Sequence, residues 1–558
     1  MRDKKQVLSE LIGSAVVELA QKKGVSLPEG FTVLLERPKR EGHGDWATNV
    51  CMQIAKLFGM SPRDFAAELS ECIQKGDVIE RIDIAGPGFM NFTLTANWMY
   101  DVLHDVLEKK ENYGRNNQGE GQRVQVEFVS ANPTGPIHLG HGRGAAVGDI
   151  LSSVLSFCGW DVSREYYIND AGLQMDMLGQ STQSRYFDLI GRGAEAPFPE
   201  NGYPGEYIDD IAAEILQKHG TVLVEKTLEE SLPLFRDETA AQVLEMIRRD
   251  LEAFGVHFDV WFSEKSLYDG DLVERTIAGL KEGGYAYEQD GAIWFRSTLF
   301  GDDKDRVMIR ANGIPTYFTS DVAYLQNKYE RGFDKLIYVW GADHHGYIPR
   351  LRSVNKTLGA KDEAFHVLLI QFVSLMRNGV PVAMSKRAGS FVTLKDVVEE
   401  VGADATRFFF VMRRNDSHLD FDLELAKRSS SDNPVFYVQY AHARICSILR
   451  EVESRGIAIP SLEKLDVAAL SEPSEQALVK AISRFPEEVI KTADELAPHR
   501  IAFYAQELAE AFHYFYNEQR VLGVEEEKMI ARLLLVEATR ITLRNVLGLL
   551  RISAPERM

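Results

Sequence analysis

Glu127-Phe128-Val129-Ser130-Ala131-Asn132-Pro133-Thr134-Gly135-Pro136-Ile137-His138-Leu139-Gly140-His141-Gly142 runs from an apolar strand, through a loop broken by two prolines and a glycine, towards a helix. The strand is Val124–Val129. The helix is expected close behind His141, because Val147, Ile150, Leu151 and Val154 within Ala145–Phe157 keep helical spacing. A second strand follows at Glu165–Ile168. Strand, helix and strand in that order predict a parallel, doubly wound α/β sheet. At such a junction the loop lies at the carboxyl edge of the sheet, and the free N–H groups of the helix point at any anion bound there. His138 and His141 can then donate to phosphate oxygens of one ligand, and Gly140 leaves room for a flat base. A His-x-x-His metal pair, or two histidines capping a helix, is the alternative for the bare pattern; the surrounding strand, prolines and glycines favour the anion loop.

The chain around this segment divides by pattern. Residues 1–115 read as an α+β domain, with a helix carrying Val7, Leu11, Ala15 and Leu19 and strands at Phe31–Leu35 and Phe89–Leu94. It ends in the Asn- and Gly-rich stretch 112–119. Residues 121–183 form the first half of the sheet domain, and 184–285 an acidic, largely helical insertion. Residues 286–395 form the second half, with strands at Ala292–Phe295 and Lys335–Trp340. A linker, 396–432, leads to an all-helical domain, 433–558, in which Ile501, Tyr504, Leu508, Phe512 and Phe515 share one helical face.

A length of 558 residues suits about three to five such units. With 63 basic against 83 acidic residues the net charge is −20, which argues against a nonspecific nucleic-acid coat and against an anionic membrane surface. Selective RNA binding through shape and stacking remains open. Cys51, Cys72, Cys158 and Cys446 lack paired spacing, so neither structural zinc nor a disulfide framework is expected, and the cysteines read as small buried residues in a reducing compartment. No apolar run is long enough to span a bilayer and the N-terminus does not read as a leader, so a cytoplasmic protein is expected.

Far downstream, Val382-Ala383-Met384-Ser385-Lys386-Arg387-Ala388-Gly389 combines small and basic residues in a way that suits a mobile loop folding over a triphosphate. Alone, it reads more readily as a basic surface turn, and its pairing with the first motif favours the triphosphate loop. Thr316-Tyr317-Phe318-Thr319-Ser320-Asp321 offers a carboxylate, Asp321, that could instead cap a helix starting at Val322. Trp340-Gly341-Ala342-Asp343-His344-His345-Gly346-Tyr347 leaves an apolar strand; neighbouring residues there point in different directions, which disfavours metal ligation.

His138-Leu139-Gly140-His141 resembles the first signature of class I aminoacyl-tRNA synthetases, and the string from Glu127 to His141 resembles arginyl-tRNA synthetases in particular. The resemblance extends over nearly the whole chain. It includes Gly42–Asn49 and Gly86–Asn91, which look like the family's N-terminal domain contacting the tRNA elbow, and Asn433–Ile445, which looks like the start of its anticodon-binding bundle. It implies a Rossmann-like catalytic domain that uses ATP, with accompanying Mg²⁺, to form arginyl-adenylate and then charges tRNA(Arg), in a protein expected to be a monomer. It implies transition-state binding by His138, His141, Ser385, Lys386 and Arg387, and ATP contacts at Gly140, Asp343 and Met384. Arginine would be held at its α-amino end by Glu127 and Asn132 and at its guanidinium by Tyr317 and Asp321, with Ser130 also among the arginine-binding residues; a guanidinium calls for converging carboxylates. Tyr437, Gln439, Tyr440 and Arg444 would meet anticodon bases, the alternative being that most of them are core. One departure stands out: the family's second signature usually opens with lysine, and Ala383 stands here. Some arginine enzymes carry a lysine upstream of the first signature instead, where this chain has Gly135. A synthetase for another amino acid and a noncatalytic tRNA-binding relative are the alternatives.

Overall fold

The computed structural model describes residues 4–38, 43–170, 172–382, 385–386 and 390–558, of which 385, 386, 390 and 391 are described as backbone. Its central feature is a five-stranded parallel sheet built from β1 (Arg123–Phe128), β2 (Asp161–Ile168), β3 (Val260–Ser263), β4 (Lys335–Gly341) and β5 (Phe365–Ile370), in the order β5-β4-β1-β2-β3. The chain starts in the middle at β1, moves outward through β2 and β3, and returns to the other side of β1 at β4. That reversal creates a crevice at the carboxyl ends of β1 and β4, the place where open α/β sheets bind ligands.

Helix α1 (Leu139–Phe157) packs almost entirely buried behind the loop after β1. It approaches β1 so closely that a Cβ on Gly148 would stand 2.3 Å from the Phe128 ring, so glycine is required there. Helix α2 (Tyr317–Glu330) lines the sheet with Val322, Ala323, Tyr324 and Leu325 buried. Helix α3 (Leu394–Val401) opens with a capping box between Thr393 and Asp396.

Three sequence expectations change. Phe31–Leu35 is extended, with Val33 and Leu35 buried, but joins no ladder; the neighbouring Glu36 makes an isolated bridge to Ala47. Ala292–Phe295 is a strand, yet it belongs to a separate antiparallel sheet with Ala286–Gln289 and Arg306–Ile309 rather than to the parallel one. The acidic stretch 184–285, read as a helical insertion, contains β3, which pairs with β2 as the edge of the central sheet. Otherwise the stretch is helical, as in Glu206–His219 and Leu228–Ala253.

By packing, the described chain forms two units. One holds Gly114–Arg444, Arg484–Ala509 and Leu543–Met558; the other holds Met1–Tyr113, Ile445–Ser483 and Glu510–Thr542. In the second unit Asp45 accepts from Leu94 N at 2.9 Å and from Lys480 Nζ at 2.7 Å, and Tyr113 donates to Ile482 O at 3.1 Å. Cys51, Cys158 and Cys446 are buried and Cys72 half-buried. Among the described residues no helix is long and apolar enough to cross a membrane.

Candidate functional site

At the end of β1 two consecutive non-glycine residues take left-handed backbone, Val129 at φ 67° and Ser130 at φ 42°. For a β-branched residue this is costly, and such strain concentrates where a fold fixes a functional turn. The turn is tied down on several sides. Tyr167 N donates to Ser130 Oγ at 3.1 Å, Tyr166 OH to Ala131 O at 2.8 Å, and Tyr207 OH to Thr134 O at 2.6 Å. Asn132 is exposed and donates to Gln174 Oε1 at 2.9 Å.

Helix α1 begins at Leu139, earlier than the sequence suggests. His138 is its N-cap, with Nδ1 accepting from Gly140 N at 3.1 Å, and His141 lies in its first turn. The capping alternative for His138 therefore describes its local role, and it also aims the stacked rings, 3.8 Å apart between centroids, outward from the helix N-terminus. Burial pushes the His141 pKa down to about 3, helped by the neighbouring His138. Burial lowers His138 as well, against the opposing pull of Asp343. Both rings are thus neutral near pH 7 and offer N–H donors rather than charge. Asp343 sits exposed just beyond β4, in a short 3-10 turn.

The chain that follows the second signature returns to the same place. Thr393 forms a bridge with His138, and Leu394 N donates to Ile137 O at 2.9 Å. Ser385 and Lys386 form a two-residue strand paired with Ser390 and Phe391. Met384 and Arg387, and the departure at Ala383, lie outside the described residues.

A cluster of carboxylates gathers where β1, β2 and α2 meet. Glu127 is buried, accepting from Lys328 Nζ at 2.5 Å and from Ser130 Oγ at 3.3 Å. Lys328 is fully buried and also lies over the rings of Tyr324 and Tyr338, at 4.2 and 3.8 Å. Asp321 lies inside α2, whose N-cap is Thr316, so it does not cap a helix at Val322. Its carboxylate accepts from Tyr347 OH. Burial, reinforced by Glu264 and Glu127, raises the Asp321 pKa to about 7. Tyr317 is the first residue of α2 and exposed; a Cβ on Gly172 would lie 3.5 Å from its hydroxyl.

Glu264 was missed in the sequence. It is buried immediately after β3, held by the hydroxyls of Ser320 and Tyr167, and burial raises its pKa. Nothing in a Ser-Glu-Lys triplet within an acidic stretch singles it out; only the pairing of β3 with β2 brings it beside Asp321. The structure thus gathers Glu127, Ser130, Asp321 and Glu264 at one end of the crevice and His138, Gly140 and His141 at the helix terminus.

The bundle residues stand apart from this chemistry. Gln439 is buried and donates from Nε2 to Asp404 Oδ2 at 2.8 Å and to Ser553, which makes it a brace within the fold. Arg444 stacks over Tyr440 at 4.6 Å and donates to its hydroxyl at 2.8 Å. Tyr437 is half-buried on the same helix, Pro434–Ser454.

Three family models match in succession: the arginyl tRNA synthetase N terminal domain at residues 6–94, the class I tRNA synthetase (R) catalytic domain at 102–438, and the DALR anticodon binding domain at 438–558. The arginine–tRNA ligase of Syntrophotalea carbinolica is 51% identical over 99% of this chain and 100% of that protein. That of Bacillus subtilis is 50% identical over 99% of each. Among solved structures, the putative arginyl-tRNA synthetase of Campylobacter jejuni superposes with a TM-score of 0.76 at 35% identity, covering 83% of this chain and 100% of that one. The Thermus thermophilus arginyl-tRNA synthetase, at 22% identity, shares the fold with a TM-score of 0.75 over 99% and 100% of the two chains. With full-length identity of this size and three family models matching in succession, the chain belongs to the class I arginyl-tRNA synthetase family.

Proposed function

We propose that this chain activates L-arginine with ATP and transfers it to the terminal ribose of tRNA(Arg). In the first step an arginine carboxylate oxygen attacks the α-phosphorus of ATP; the bond to the bridging oxygen breaks, giving arginyl-adenylate and pyrophosphate. In the second, the tRNA ribose hydroxyl displaces AMP. The observation that carries this reading is the pocket of Glu127, Asp321 and Glu264, three carboxylates answered within it by one buried cation, Lys328. A pocket left with excess negative charge and hydroxyl supports suits a guanidinium.

Glu127, Ser130 and Asn132 serve the α-amino end, and Tyr317, Asp321 and Glu264 the guanidinium. His138 and His141, neutral, donate to phosphate oxygens at the helix N-terminus, where the free N–H groups of α1 add to the field. Gly140, Met384 and Asp343 contact the nucleotide. Ser385, Lys386 and Arg387 hold the leaving pyrophosphate, which is transition-state binding rather than general-base chemistry. Among the described residues the one cluster of three potential metal ligands is His104, Asp105 and Glu108, on a helix of the N-terminal region. Mg²⁺ belongs to the proposal as the ion that arrives on the triphosphate. Tyr437, Tyr440 and Arg444 supply an aromatic and cationic face for anticodon bases. The working form is a cytoplasmic monomer.

Amino-acid-dependent pyrophosphate exchange across the standard amino acids, with and without tRNA, tests the reading. Exchange with arginine is expected; exchange with another amino acid but not arginine would overturn the specificity, and tRNA binding without adenylate formation would overturn the activity.

A further inference from the structure

We infer that Arg143 is a positioning residue that sets the spacing between the two signatures. It lies in α1, two residues after His141, and its side chain is completely buried. Its hydrogen-bonded partners are three main-chain carbonyls: Nη1 donates to Gln371 O and to Ser417 O, and Nη2 to Arg414 O, each at 2.8 Å. A buried guanidinium whose hydrogen-bonded partners among the described residues are carbonyls, with the Asp416 carboxylate as its nearby charge, is an expensive choice for stability, since hydrophobic residues would pack more cheaply. What it provides is geometry. The planar fork reaches several acceptors at fixed angles, which lysine does not.

The carbonyls it holds are informative. Gln371 follows β5 directly and is the root of the strand Val373–Arg377, which turns back at Val380–Pro381 and leads into the second signature. The chain leaving that signature is already fastened to the first one by main-chain contacts, Thr393 to His138 and Leu394 N to Ile137 O. Arg143 fastens the other root. Through Arg414 and Ser417 it also holds the turn preceding Leu419–Asp422, the strand that pairs in parallel with Val373–Arg377, and Gln371 N in turn donates to Asn415 O at 2.8 Å. Both ends of the second-signature arm are therefore tied to the element carrying His138 and His141, one by backbone and one by Arg143. The arginine pocket, built on β1, β2 and α2, takes no part in this clamp.

The inference rests on the proposed reaction and predicts a split in the kinetics. In Arg143→Met, kcat for arginine-dependent pyrophosphate exchange should fall by about a hundredfold, the scale of an ångström-size misplacement of reacting groups, while the arginine KM stays within about twofold. Arg143→Lys, which keeps the charge but spans fewer carbonyls, should recover part of kcat. Hydrogen exchange at the amides of 371–377 and 414–419 should accelerate in both variants. Unchanged kcat in either folded variant, an arginine KM that rises in step with the loss of kcat, or unchanged amide exchange would overturn the inference. If Arg143→Met does not fold, Arg143→Lys decides by the same criteria. Should the unaltered protein show no arginine-dependent exchange, the proposed function fails instead, and amide exchange over 371–377 still decides the clamp.

Discussion

Asp321 is the residue whose charge state reports most directly on substrate. Burial and the adjacent carboxylates raise its pKa to about 7. A guanidinium stays charged throughout the accessible range, so binding it favours the carboxylate and must expel the proton when one is present. Arginine should thus bind less well as pH falls through 7. For one such group the KM for arginine is expected to rise by about tenfold from pH 8 to pH 6, read from pyrophosphate exchange. Burial lowers both His138 and His141, His141 to about 3, which moves them away from this window; a flat profile would mean that Asp321 is already ionised before arginine arrives. Glu264→Gln sharpens the test. Loss of one charged hydrogen-bond acceptor should raise arginine KM by about ten- to a hundredfold, and removal of a like charge should move the pH midpoint downward. Asp321 and Glu127 were legible in the sequence as candidate carboxylates, but Glu264 was not: it follows β3, a separate element, and becomes a neighbour only once the strands are paired. Lys328 lies two turns further along α2, and nothing in the sequence marks it as buried against Glu127.

At the scale of elements, the strands and helix around the first signature were legible because long apolar runs and 3.6-residue spacing leave little choice. β3 was not, since four residues inside a helical, acidic stretch carry no periodicity to read. The Phe31–Leu35 segment failed in the opposite way. Its alternating burial is real, but it is met by packing, with Ser9 Oγ donating to Val33 O at 2.8 Å, rather than by a strand partner. The acidic stretch also reaches the first signature through Tyr207, whose hydroxyl bonds Thr134 O at 2.6 Å. A Cβ on Gly135 would stand 3.0 Å from that hydroxyl, so the space beside Gly135 is filled from outside the loop. Tyr207→Phe keeps the packing and removes one hydrogen bond of about 1 kcal/mol. The expected result is about a fivefold loss in kcat/KM for ATP with arginine KM unchanged. No change in ATP kinetics would show that the loop holds its shape without this stretch.

For the whole molecule, the linear order of domains differs from the way the chain packs. Periodicity shows which face of a helix is buried and is silent about what covers it, so 433–558 reads as one bundle although its residues divide between both packed units. In the unit containing Met1–Tyr113, the segment 445–483 is bonded through Lys480 to Asp45, through Ser483 to Arg37 and through Ile482 to Tyr113. It is bonded to segment 510–542 through Arg532, which is buried and donates to Glu475 at 2.6 Å and to Gln519 at 2.7 Å. Arg532→Met removes one partner of this buried pair and leaves the Glu475 charge without compensation, a change of about 3–5 kcal/mol. If the three segments form one cooperative body, that loss is felt across all of them. Amide protection should then fall in the strand Phe89–Leu94, which makes no contact with Arg532 in sequence or through a hydrogen bond, as much as in the helix Pro473–Ser483. Protection lost only from 445–483 and 510–542 would show instead that the N-terminal segment is stable by its own core, in which Phe65, Leu69, Met90 and Phe92 are fully buried.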